Sequence, residues 1–223
     1  QRRFYHRQFA PIELKQYNRA REAASKAVAK DGSLVDCRKI LVQIYMRAKE
    51  YGDAKTHLEY LVGVEKYNKH YWLQLAECYE GLGEKDKLAE ADERIIQIDK
   101  KNVESRVRLA DYLLEKGKLE EAYRHYKQVV VLEPKNVEAH KQLYELTRKL
   151  ERADAAVSYL KEYLTLRPKD AEAQRDLGDL LYEKKDFDGA LEAYRTVIKL
   201  DPSMRGFYQR YADIVIKKGL QAE

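Results

Sequence analysis

Three of the four prolines, Pro134, Pro168 and Pro202, stand 34 residues apart, and no other feature of the chain limits its fold as strongly. A fixed period of this length marks a repeat array, in which one small supersecondary unit is stacked many times. Shifting the sequence by 34 aligns Leu109 with Leu143 and Leu177, Ala122 with Ala156 and Ala190, and Tyr126 with Leu160 and Tyr194. Carried backwards, the register reaches Leu41, Leu75, Ala54 and Leu58. It divides 35–204 into five repeats, 35–68, 69–102, 103–136, 137–170 and 171–204. Residues 205–223 read as a single terminal helix, the first half of a further repeat or a cap, with Tyr208, Tyr211, Ala212 and Val215 at its apolar positions. Residues 1–34 read as a basic arm (Arg2, Arg3, His6, Arg7) and the second helix of an incomplete preceding repeat. That helix is expected to start at Pro11, carry Leu14, Tyr17, Ala20, Ala24 and Ala27 on one side, and end near Asp31-Gly32.

Inside a repeat the apolar spacing is helical: Trp72, Leu75, Ala76 and Tyr79 recur at i, i+3, i+4 and i+7 and share one face. In 103–136 the turn Lys116-Gly117-Lys118 leads to a second stripe of Leu119, Ala122, Tyr123, Tyr126, Val129 and Val130, so each repeat is a helical hairpin. Asn68, Asn102, Asn136 and Asp170 precede the hairpins as N-cap candidates. Glu104, Glu138 and Glu172 place negative charge in the first turn, where the helix dipole favours it. The recurring prolines stop the preceding helix. Ten glycines and four prolines are too few for the tight turns of a sandwich or barrel, which leaves an all-α chain. Apolar runs such as Val129 to Leu132 fall far below the roughly 18 residues of a membrane span. A start at Gln1 rather than methionine points to a fragment or processed form, so the localisation is weakly constrained.

These residues resemble the tetratricopeptide repeat family. The best match is 171–204, where Leu177, Gly178, Leu181, Ala190, Tyr194 and Pro202 fill the family's small and large packing positions, and Trp72 occupies its tryptophan position in an earlier repeat. The likeness covers roughly 35–219. Departures concentrate early: Leu88 and Asp92 replace the alanine and aromatic, and Lys66 and Lys100 stand at the proline position, so 69–102 is expected to pack its second helix differently. The resemblance implies a right-handed superhelix of stacked helix-turn-helix hairpins whose first helices line a concave groove for a peptide or helix of another protein. Each hairpin is too small to bury its own apolar face and relies on its neighbours.

No phosphate loop, nucleophile elbow or HExxH helix occurs in the chain, so a non-enzymatic protein without cofactor or metal is expected. His57 and His125 share a repeat position but lie two hairpins apart, too far for one metal. Cys37 and Cys78 are offset along their helices by about 10 Å, more than a disulfide spans. Two free, half-buried thiols are therefore expected, which favours a reducing, cytoplasmic-type compartment. Tyr45, Tyr79, Tyr126, Tyr163, Tyr194 and Tyr211 fall in packing columns, whereas Met46 and Tyr182 fall towards the groove.

The family's known carboxylate clamp would draw on first-helix positions held here by Lys39, Gln43, Gln74, Glu104 and Arg108, and Glu104 reverses a required charge. A stronger pattern is the acidic row Glu77, Asp111, Glu145, Asp179 and Asp213, each 34 residues from the next. Its alternative is neutralisation within each helix, by Arg108, Lys141, Arg175 and Arg210 three or four residues earlier. Over all groove positions thirteen acids face nine bases, although the chain carries a net charge of +5. The expectation is an interaction module or assembly scaffold that binds a peptide or helix, possibly basic, in an acidic-leaning groove. Alternatives are an RNA-binding helical-repeat protein, disfavoured because such a groove repels phosphates, and self-association through the end helices.

Overall fold

The computed structural model describes residues 11–219, with side chains from residue 16 onward. The basic arm of Arg2, Arg3, His6 and Arg7 and the side chain of Leu14 lie outside the described residues. Every element among these residues is helical. Helix α1 (Pro11–Lys30) leads into pairs: α2 (Val35–Ala48) with α3 (Tyr51–Val64), α4 (Lys69–Leu82) with α5 (Lys85–Ile98), and α6 (Val103–Glu115) with α7 (Leu119–Leu132). Next come α8 (Val137–Lys149) with α9 (Ala153–Leu166), α10 (Ala171–Glu183) with α11 (Phe187–Leu200), and finally α12 (Tyr208–Lys217). The described residues divide into two compact units, 11–112 and 113–219.

Side chains cap the first helices. Asn136 Oδ1 accepts the Ala139 amide and Asp170 Oδ1 that of Ala173, both at 3.0 Å, Asn102 that of Ser105 at 2.8 Å and Asn68 that of His70 at 3.1 Å. The hairpin turns share a left-handed residue at Lys49, Gly83, Gly117, Glu151 and Lys185, and Gly219 continues the series. At each of the first five, the next amide reaches back five residues, as Glu50 does to the Tyr45 carbonyl at 2.9 Å. This is the Schellman cap, which satisfies the last carbonyls of the helix.

A second recurring bond closes the turns between hairpins. The Trp72 indole N–H donates to the Lys66 carbonyl at 2.8 Å, Arg106 to that of Lys100 at 2.7 Å, and Arg38 to that of Gly32 at 2.9 Å. His140 Nε2 lies 2.9 Å from the Pro134 carbonyl in the same relation. Where the later turns have proline, lysine at 66 and 100 therefore still gives an anchored turn.

Unit 1 has a core of Val42, Ala54, Leu58, Leu61, Leu75, Cys78 and Ile95. Unit 2 has one of Tyr144, Leu160, Leu177, Tyr194, Val197 and Phe207. Large and small residues are matched in unit 2: a Cβ on Gly178 would stand 2.4 Å from the Tyr194 ring, whereas α8 carries Tyr144 at the equivalent position and α9 the smaller Leu160.

Candidate functional site

In unit 1 the bases of the first helices are engaged by groups elsewhere. Arg108 of α6 reaches Asp92 of α5 through two bonds, Nε to Oδ2 at 3.0 Å and Nη2 to Oδ1 at 2.6 Å, and its Nη1 meets Glu104 at 2.7 Å. The Asp92 side chain is 1% exposed and that of Arg108 20%. Asp92 sits at the position of Leu58 and Tyr194, so an ion pair fills a slot that elsewhere holds a large apolar group; this is the altered packing of 69–102. These bonds hold the Arg108 guanidinium above its ordinary pKa. Lys39 of α2 pairs with Glu65, just beyond α3, at 3.2 Å, and Arg47 hydrogen-bonds the Tyr17 hydroxyl of α1. Neither clamp base, Lys39 or Arg108, is left to receive a partner's carboxylate.

The acids are placed differently. Glu77 and Glu80 of α4 and Asp111 of α6 are exposed, Glu77 accepting only a long 3.4 Å bond from Tyr51. Gln43 is exposed and Gln74 half-buried. Met46, expected towards the groove, packs on the unit 1 core, with Cys78 Sγ 3.3 Å from its sulfur. Cys78 is fully buried rather than half-buried, and burial pushes its thiol up to about 12, while Cys37 is partly exposed.

In unit 2 a cleft of about 460 Å³ opens between α8 and α10 over Leu160 and Tyr163 of α9. Lys141, Glu145, Arg148 and Lys149 line one wall, Glu172 and Asp176 the other. Lys141 and Glu145 make no hydrogen bond or ion pair with another described residue. Asp176 accepts the Tyr144 hydroxyl at 2.9 Å and pairs with Arg175 at 2.9 Å. Burial pushes the Tyr144 phenol up to about 12.

The far end of the expected row is a structural brace. Arg175 pairs with Asp176 and not with Asp179. Asp179 instead binds Arg210 of α12 at 2.7 Å and accepts the Tyr194 hydroxyl at 2.6 Å. Asp213 accepts from Lys217 at 2.7 Å and from the Tyr182 hydroxyl at 2.5 Å, and the first of these does most to lower its pKa. Tyr182, expected as groove lining, thus clasps α10 to α12, with its ring against Phe187 at 5.7 Å. The within-helix pairs expected with the acidic row are replaced: Arg108 binds Asp92 and Arg210 binds Asp179, each across to the preceding hairpin, and Arg175 binds Asp176, its neighbour in α10. The sequence signal for the Arg108 contact was Asp92 itself, a charge at an aromatic position.

Stacked antiparallel hairpins with capped, periodic turns define an all-α helical-repeat protein. Models of the tetratricopeptide repeat match residues 103–136 and 146–205, so the chain carries tetratricopeptide repeats. Among solved structures, YrrB, "a TPR protein with an unusual peptide-binding site", is 16% identical with a TM-score of 0.57, over 90% of this chain and 100% of that one. A MamA protein is 13% identical with a TM-score of 0.55, over 86% and 99%. MamA from Desulfovibrio magneticus RS-1, residue 41 to the end, is 17% identical with a TM-score of 0.52, over 77% and 97%. At these identities the likeness is one of fold. No curated protein sequence matches the chain. Tetratricopeptide repeats are generally non-enzymatic protein-interaction or scaffold modules, and the matched repeats support an interaction or scaffold role. Among the described residues no helix is long and apolar enough to cross a membrane.

Proposed function

We propose that the repeats of 35–204 are a binding module in which the first-helix face of unit 1 takes a basic peptide or helix of a partner protein. One observation carries this reading: the bases Lys39, Arg47 and Arg108 are each held by a group on another helix or turn, while Glu77 and Glu80 stay exposed. In unit 1 Glu77 and Asp111 of the row contact the partner, and in unit 2 Asp179 and Asp213 serve the fold. Gln43 adds a polar contact, and the net charge of the face sets the preference for a cationic segment.

The test is fluorescence anisotropy with a labelled lysine- and arginine-rich peptide, an acidic peptide of equal length and a single-stranded RNA. The basic peptide is expected to bind, more weakly as salt rises, and the double variant Glu77→Gln, Glu80→Gln to weaken binding several-fold with an unchanged melting temperature. Equal binding by the double variant, or a preference for the RNA, overturns the proposal.

A further inference from the structure

Each unit carries a groove of about 390 Å³ on its second-helix side, between α3 and α5 over α4 in unit 1 and between α9 and α11 over α10 in unit 2. They are the same place in the repeat: Val62 corresponds to Leu164, Leu75 to Leu177 and Ala91 to Ala193, each pair 102 residues apart. At the position of the two alanines, α9 carries Tyr159, whose side chain reaches across to α7 with its hydroxyl 3.3 Å from that of Tyr123. Where the chain has alanine instead, that position carries no side chain long enough to cross.

The two grooves differ in chemistry. Leu164, Leu177 and Leu181 line the unit 2 groove, so it offers apolar contact alone at its base. The unit 1 groove is floored by Trp72 and Tyr79 and rimmed by Glu59, Glu90 and Glu93. Tyr79 is fixed by the bond from its hydroxyl to Glu59 at 3.1 Å. Glu90 and Glu93 are exposed and make no hydrogen bond or ion pair with another described residue. The chain already places one ammonium here: Lys87 Nζ lies 5.6 Å from the centre of the Tyr79 ring and 3.8 Å from Glu59. The other base on the rim, Arg94, donates to Gln97 at 2.9 Å. One lysine on an aromatic floor leaves two carboxylates unanswered.

We infer that the unit 1 groove receives an arginine side chain of a protein partner. Its planar guanidinium stacks on the aromatic floor, where the ring face attracts a cation, and its fork of N–H donors meets Glu90 and Glu93. Glu77 and Glu80 do not line this groove, so it stands or falls independently of the first-helix contact.

Trp72 is the only tryptophan of the chain and reports on the groove directly. Titration with N-acetylarginine amide, at constant ionic strength, is followed by Trp72 fluorescence and by the indole N–H resonance, with the isosteric, uncharged citrulline amide as control. The arginine probe is expected to saturate in the millimolar range and the citrulline probe to leave both signals unchanged. The double variant Glu90→Gln, Glu93→Gln should weaken the arginine response about three- to tenfold, the span of one or two charge-assisted contacts at an exposed site. Glu77→Gln with Glu80→Gln should not alter it. Equal responses to the two probes, a linear response without saturation, or an unaltered response in the Glu90 and Glu93 double variant overturns the inference.

Discussion

Units 1 and 2 solve the same packing problem with opposite chemistry. In α11 of unit 2 the large residue of the second helix is Tyr194, buried against Gly178 and stacked on Phe207 at 5.2 Å. In α5 of unit 1 the equivalent residue is Asp92, and Arg108 supplies both the volume and the charge that fill the slot. The hairpin edges are inverted as well. In unit 2 an acid at the start of a second helix meets a base in the next turn, as Glu120 with Arg152, Asp154 with Lys184 and Asp188 with Lys218. In unit 1 the base is on the helix and the acid in the turn, as Arg21 with Glu50 and Lys55 with Glu84. The backbone repeat thus requires that each slot be filled and each edge be neutral, and leaves open which residue types do so.

The severest break in that comparison is Arg108→Ala, which leaves the Asp92 carboxylate buried without its partner and should cost about 3–5 kcal/mol. The double variant Asp92→Leu, Arg108→Gln should recover most of this in urea unfolding. If Arg108→Ala costs less than about 1 kcal/mol, the slot is not held by the ion pair.

Next comes the pair of helical glycines facing tyrosine rings. Gly178→Ala pushes into the fully buried Tyr194 and should destabilise by about 1–3 kcal/mol. Gly81→Ala meets Tyr51 at the same 2.4 Å, but Tyr51 is partly exposed and can swing away. Its gain in helix propensity, up to about 1 kcal/mol, should leave it near neutral. Equal melting temperatures for the two variants would remove the distinction.

A smaller effect separates the two cysteines of unit 1. Burial raises the Cys78 thiol to about 12 in the folded chain against 9.0 as its ordinary value, so the unfolded chain loses that proton first. The stability this thiol contributes is complete below about pH 9 and is lost as pH rises towards 12. Native protein at neutral pH should therefore react with a thiol reagent at Cys37 and not at Cys78, and Cys78→Ala should flatten the fall of melting temperature above pH 9. Labelling followed by mass spectrometry reads the first point and an alkaline melting series the second.

The smallest expected effect is at the edge ladders. Lys55→Glu alone should cost about 0.2–1 kcal/mol, and Lys55→Glu with Glu84→Lys, which gives unit 1 the polarity of unit 2, should restore it. A double-mutant cycle with no coupling would mean that the ladder sets no register.

Much of this was legible in the sequence because the period makes each position a column. Pro134, Pro168 and Pro202 marked the turns, Asn68, Asn102, Asn136 and Asp170 the caps, and the alanine and tyrosine columns the faces that are buried. Other columns were equally periodic but went unread. The left-handed turn residue is lysine, glycine, glycine, glutamate and lysine in successive hairpins, a series without a common chemistry. The turn-closing donor is Arg38, Trp72, Arg106 and His140 in succession, alike only in carrying an N–H.

The acidic row shows where reading by columns ends. Glu77, Asp111, Glu145, Asp179 and Asp213 are one column in sequence, yet Asp179 and Asp213 are bound by Arg210, Tyr194, Lys217 and Tyr182 while Glu77 and Glu145 stay open. The sequence alone determined the helical class, the hairpin period and the apolar faces, because these follow from spacing along one chain. Only the tertiary structure decided which charges are committed. A carboxylate pairs with the nearest donor in space, and that donor comes from a neighbouring hairpin as readily as from its own helix.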